Sequence, residues 1–183
     1  MVSDELVEED LRYVKKYHRI SDFSLFNQNG ENVTHDNYKN KIYVADFFFT
    51  TCPDICPIMT GNMLYLQENL KNVDDIMLAS FSVTPDVDTV EVLKSYSLEK
   101  GVDDSKWNLM TGEKKQIYDL ARKSFLVAKK IHNEQTHGMI HTENFVLVDK
   151  DKRIRGYYDG TNIEEMDRFC LLYTSPSPRD LST

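Results

Sequence analysis

The sequence predicts an α/β sandwich, with a mixed central β-sheet, flanking helices and an N-terminal β-hairpin. Three observations lead there. Short apolar runs of strand length, IYVADFFF (42–49) and IMLASFSV (76–83), alternate with longer stretches of helical period. That alternation belongs to sheets whose parallel central strands are covered by helices. Strand-like pairs joined by turn residues lie on both sides of this region and read as hairpins.

The elements follow in order. FSLF and ENV flank the turn NQNG, in which Asn29-Gly30 is the hairpin signal. Residues 42–49 read as a buried central strand. Pro57 suits the first position of a helix, where its missing N–H costs nothing. That helix runs to about Lys71, with Met59, Met63, Leu66 and Leu70 on one face. Residues 76–83 form a second buried strand. Asp88 or Thr89 caps a helix that closes at Gly101. Trp107–Met110 is a short strand, Glu113–Ser124 a helix, and Phe125–Lys129 reads as a further strand. Asn144–Asp149 and Arg153–Tyr158 form a hairpin, and a last helix begins near Asn162 and is cut at about Cys170.

Length and charge bound the possibilities. The 183 residues suffice for one domain with a real core. A net charge of −8 argues against nucleic acid, which wants a basic surface, and suits basic protein partners or a cation. No apolar run approaches the roughly 18–20 residues of a membrane span. The start, MVSDELVEEDLRYVKKYH, is too acidic and polar for a signal peptide. Residues 1–17 are read as an extension and 18–170 as the domain. Residues 171–183, LLYTSPSPRDLST, abandon the amphipathic pattern and read as a non-native or disordered tail.

The chemistry concentrates in TTCPDICPIMT (50–60), directly behind the first central strand. Sites in such sheets form beyond the carboxyl ends of the strands. Proline follows both Cys52 and Cys56 and disfavours helical backbone at each, so CPDIC is expected to be a fixed loop at a helix mouth. A helix N-terminus favours thiolate over thiol. Two close thiolates can hold soft copper or zinc, or oxidise to a disulfide. Thioredoxin-like oxidoreductases usually space their cysteines by two residues and carry a proline before the strand facing the dithiol. Here the gap is three, and no proline occurs between Pro85 and Pro176. This weighs against a general thiol–disulfide oxidoreductase.

Two sulfurs leave a metal under-coordinated. His141, 85 residues after Cys56 and just before the strand FVLVD, is the best third ligand. His132 and His137 are read as surface loop residues, and His18 and His35 as surface residues. Met59 and Met63 share a face with Leu66 and are assigned to the core. Met139 is a weaker, auxiliary candidate. Asp86 and Asp88 are assigned to helix capping, and Cys170 to no role.

TTCPDICP after an aromatic strand, then SVTPDVDT, then HTENFVLVDKDKRIRGYYDG, together resemble the SCO/SenC family of copper chaperones, with wording closest to bacterial members of the Bacteroidetes type. The resemblance runs from about His18 to about Phe169. It implies a thioredoxin-like fold with a site for copper, Cu(I) or Cu(II), whose thiolate ligands match Cys52 and Cys56 and whose imidazole matches His141. It implies a role in assembling the dinuclear copper centre of cytochrome c oxidase. The expected partners are the copper-receiving oxidase subunit and other copper chaperones. It also implies a place on the periplasmic side of the bacterial inner membrane, tethered by a segment absent from this chain. Many members place an acidic residue immediately before the histidine, where this chain has Ile140, so orientation of the imidazole would come from Glu143 or from backbone. The alternative function is a thiol–disulfide reductase of a copper-protein partner, with Cys52 as nucleophile and Cys56 as resolving thiol. It needs no histidine.

Overall fold

The computed structural model describes residues 18–128 and 139–174. The expected extension, His132, His137 and residues 175–183 lie outside them.

The hairpin forms as read. Strands β1 (Ser24–Phe26) and β2 (Asn32–Thr34) pair antiparallel, and Gly30 takes the positive φ of 73° that the turn needs. The main sheet has five strands in the order β5-β4-β3-β6-β7. Its members are β3 (Ile42–Phe48), β4 (Ile76–Ser82), β5 (Trp107–Met110), β6 (Asn144–Val148) and β7 (Ile154–Asp159). The first three are mutually parallel. β6 joins β3 antiparallel, and β7 closes a hairpin with β6. The sheet is therefore mixed, as expected.

The helices are α1 (Ile55–Asn69), α2 (Val90–Lys100), α3 (Lys114–Asp119) and α4 (Ile163–Thr174). A core on one face of the sheet joins Val44 and Phe48 to Met59, Met63 and Leu66 of α1, Leu93 of α2 and Phe169 of α4. On the other face Tyr43, Ala45 and Phe47 meet the β1–β2 hairpin, Ile117 of α3 and Phe125. Burial on both faces explains why β3 and β4 read as near-continuous apolar runs. Thr89 caps α2, accepting a hydrogen bond from Val92 N at 3.3 Å, and Gly101 ends it at φ 80°.

Four expectations are corrected. Helix α1 begins at Ile55, so Cys56 is its second residue and not part of a loop. Pro57 sits in the first turn, where N–H groups have no helical partner to lose, so the bias it imposes on Cys56 is overridden. Phe125–Ala128 is not a strand. α3 passes into a π-helical turn (Leu120–Ser124), Leu126 takes φ 56°, and the Phe125 ring packs 5.5 Å from Phe47 and 5.3 Å from Phe81. His35 is buried among Phe23 and Tyr43, not on the surface. Helix α4 continues past Cys170 to Thr174, held by Tyr173 packing 5.0 Å from Phe169.

Candidate metal and dithiol site

β3 and β4 run in register from Ile42 opposite Ile76 to Phe48 opposite Ser82, so their following loops leave the sheet side by side. Val83 N donates to Phe48 O at 2.9 Å, which extends the contact one residue beyond the ladder. The first loop is a tight turn, with Cys52 N donating to Phe49 O at 3.3 Å. Antiparallel β6 begins where β3 ends, and so the residues before Asn144 return to this same edge.

Cys52 and Cys56 are both thiols, 9% and 4% exposed. Burial pushes the Cys52 thiol up. The N–H groups of Cys56 and Asp54, the Cys56 thiol and the Ile55 N–H all point at its sulfur and together bring it below the ordinary cysteine range. These amides are the unpaired donors of the first turn of α1. Cys56 is the opposite case. Burial drives it up to about 12, despite a hydrogen bond from the Phe49 amide, and the Cys52 sulfur and the Asp46 carboxylate add to the rise. The pair is thus unequal: Cys52 is the more readily ionised thiol, and Cys56 donates a hydrogen bond to it.

Asp46 lies on the β3 face that carries α1, almost fully buried. Burial pushes its carboxyl up to about 7, opposed by a hydrogen bond from Ser80 Oγ, which in turn accepts Trp107 Nε1 at 2.9 Å. Asp88, wholly buried, accepts from Thr50 and from the β4 end. Neither acid stood out in the sequence as part of a site. Asp46 lies within an apolar strand, and Asp88 has the look of a helix cap, a role that Thr89 performs.

His141 is exposed, with its ring edge-on to Phe49 at 5.8 Å between centroids. The fold therefore brings His141 against the residue that opens the cysteine turn. It does not close the three side chains into a shell. Among the described residues, no group of three or more His, Cys, Asp or Glu is placed to hold a metal. His18 hydrogen-bonds Ser124 O at 2.6 Å, and Met59 and Met63 are core residues, as expected of the methionines. Met139 is half-buried and packs against the core on the Phe47 face. Among the described residues no helix is long and apolar enough to cross a membrane.

The SCO1 protein homolog of Bacillus subtilis is 35% identical over 146 residues, covering 78% of this chain and 75% of that protein. The crystal structure of a SCO1/SenC family lipoprotein from Bacillus anthracis superposes with a TM-score of 0.72 at 34% identity, covering 85% of this chain and 95% of that one. BsSco, a member of the Sco family of cytochrome c oxidase assembly proteins in which a disulfide switch was identified, gives 0.70 at 31%, covering 87% and 95%. Bradyrhizobium japonicum ScoI, solved with copper bound, gives 0.66 at 27%, covering 84% and 98%. The thioredoxin-like fold is shared with these Sco structures. The SCO1/SenC family model matches residues 12–168, and the chain belongs to that family.

Proposed function

We propose that the chain is a copper metallochaperone that binds one copper ion through Cys52, Cys56 and His141 and passes it to the copper-receiving subunit of cytochrome c oxidase. The observation that carries this reading is the unequal thiol pair. Cys52 is lowered below the ordinary cysteine range, Cys56 contacts it, and His141 stands against the turn that bears Cys52. Two soft sulfurs and one imidazole suit copper. Binding needs the exposed imidazole to turn toward the sulfurs, and exposed side chains change rotamer within nanoseconds. Three ligands leave a position open to a ligand of the recipient, so transfer proceeds by exchange. The copper-bound ScoI and the oxidase-assembly role of BsSco support both the cargo and the recipient. The lipoprotein relative supports work at the outer face of a membrane.

Binding requires both thiols deprotonated, and so apparent affinity falls as pH falls. The test is an anaerobic copper titration of the reduced protein and of Cys52→Ser, Cys56→Ser and His141→Ala. Each variant is expected to lose tight one-equivalent binding. Retention by any of them removes that residue from the site.

A second reading is favoured by the same asymmetry. A Cys52 thiol held below the ordinary range beside a buried Cys56 raised to about 12 is the arrangement of an attacking and a resolving thiol. As a reductase the chain would open a disulfide in a partner and end with a Cys52–Cys56 disulfide. Activity that survives His141→Ala unchanged would select this reading over the carrier.

A further inference from the structure

Asp88 is 0% exposed, and its carboxylate has no cation partner among the described ion pairs. The carboxylate's four hydrogen bonds among the described residues come from two short segments. Thr50 Oγ1 donates to Oδ1 at 2.5 Å. Thr50 N (3.2 Å), Ser82 Oγ (2.6 Å) and Thr84 Oγ1 (3.2 Å) donate to Oδ2. Burying a carboxylate without a cation is costly, so its full set of donors must be held in place for the fold to keep it.

Those donors have a geometric meaning. Thr50 lies inside the turn closed by Cys52 N and Phe49 O, whose first residue packs on His141 and whose last is Cys52. Ser82 ends β4, and Thr84 lies in the loop leaving it. We propose that Asp88 is a positioning residue for the dithiol site, tying the Phe49–Cys52 turn to the rigid end of β4. This rests on the reading of Cys52 and Cys56 as the functional pair. Two bonds from one threonine to one carboxylate fix both the position and the rotation of the turn. Without them the turn loses its side-chain tie to β4, and the place of the Cys52 sulfur before the α1 amides is loosened.

Two readouts test this. One is the copper dissociation constant of the reduced protein. The other is the equilibrium of the pair with glutathione disulfide. In that reaction two thiols lose two electrons and two protons, one S–S bond forms between Cys52 and Cys56, and two glutathione thiols are released. Thr50→Val removes the hydroxyl bond and keeps the shape. It is expected to weaken copper binding by about tenfold and to shift the glutathione equilibrium by several-fold, as fits the loss of one hydrogen bond to a charged group. Asp88→Ala is expected to do more. Asp88→Asn, which still offers an oxygen to three donors and an amide to the Thr50 hydroxyl, is expected to stay near wild type in both. Val33→Ala, in the remote hairpin, should lower the melting temperature and move neither readout.

The proposal is overturned if Thr50→Val and Asp88→Ala leave both readouts at wild type. It is also overturned if Val33→Ala moves them equally at matched loss of melting temperature. If the wild-type protein binds no copper, the chaperone reading fails on its own, and the glutathione equilibrium still decides the role of Asp88.

Discussion

Replacing Asp46 with asparagine should change how the stability of this protein depends on pH. The carboxyl is 2% exposed and receives hydrogen bonds from Ser80 Oγ and from its own backbone amide, too little to offset burial. Its pKa stands at about 7 against an ordinary 3.8. Between those two values the folded state binds more protons than the unfolded state, so this acid makes stability fall as pH rises through the window. A difference of about 3 units, at about 1.36 kcal/mol each, gives roughly 4 kcal/mol as the full effect. Water penetration and local relaxation reduce such figures, so a change of about 2–4 kcal/mol is expected. The assay is urea unfolding of wild type and Asp46→Asn from about pH 4.5 to about pH 8. The difference between the two isolates this group from every other titration. Wild type should lose stability relative to the variant as pH rises. Curves that stay parallel across the range would refute the reasoning, because a carboxyl ionised normally in the fold would give that result.

Three further outcomes are expected. Alanine at Gly160 would place a methyl 2.6 Å from the buried Phe145 ring and 2.8 Å from Glu143 O, and should cost about 3 kcal/mol. At Gly112 the one close approach of the new methyl is to the end of the Leu25 side chain at 2.7 Å, so chemical denaturation should show a clearly smaller loss there, and equal losses would contradict the packing. His35 is held below the ordinary histidine range by burial and by Lys152, so its contribution to stability is full above about pH 6.5 and is lost as pH falls through its folded value. His35→Phe should therefore lack an acid-side loss that wild type shows in the same unfolding series. Iodoacetamide at about pH 8 should label Cys52 at least roughly tenfold faster than Cys56, by mass spectrometry of early time points, and the reverse order would show the thiolate to be on Cys56.

Local signals carried most of the fold. Asn29-Gly30, Thr89 and Gly101 act on their immediate neighbours, and the structure uses each where the sequence places it. β3 and β4 announce themselves because both their faces are covered. At Phe125 and at His35, a neighbour distant in sequence decided. Phe125–Lys129 has strand-like composition, yet Phe125 is drawn between Phe47 and Phe81, and the backbone turns at Leu126 to allow it. His35 carries no sign of burial in its own sequence, because Phe23 and Tyr43 cover it. The site divides in the same way. The cysteines and His141 are visible as reactive residue types at a strand end. Asp46 and Asp88 are not, since their partners Ser80, Thr50 and Ser82 come from other segments.

The two cysteines show why spacing alone could not settle their chemistry. In sequence they look equivalent, each followed by proline. In the fold they differ because α1 starts between them. Cys52 precedes the helix and faces its free amides, which stabilise negative charge. Cys56 is the second residue of the helix, buried against the sheet face that carries Asp46, and is pushed up to about 12. A reagent needing one thiolate finds it more readily at Cys52. A metal needing both must also remove the proton of Cys56, which burial and the nearby Asp46 carboxylate oppose. Copper binding by the pair should therefore release protons and strengthen steeply with pH, while single-thiol chemistry at Cys52 should depend on pH far less.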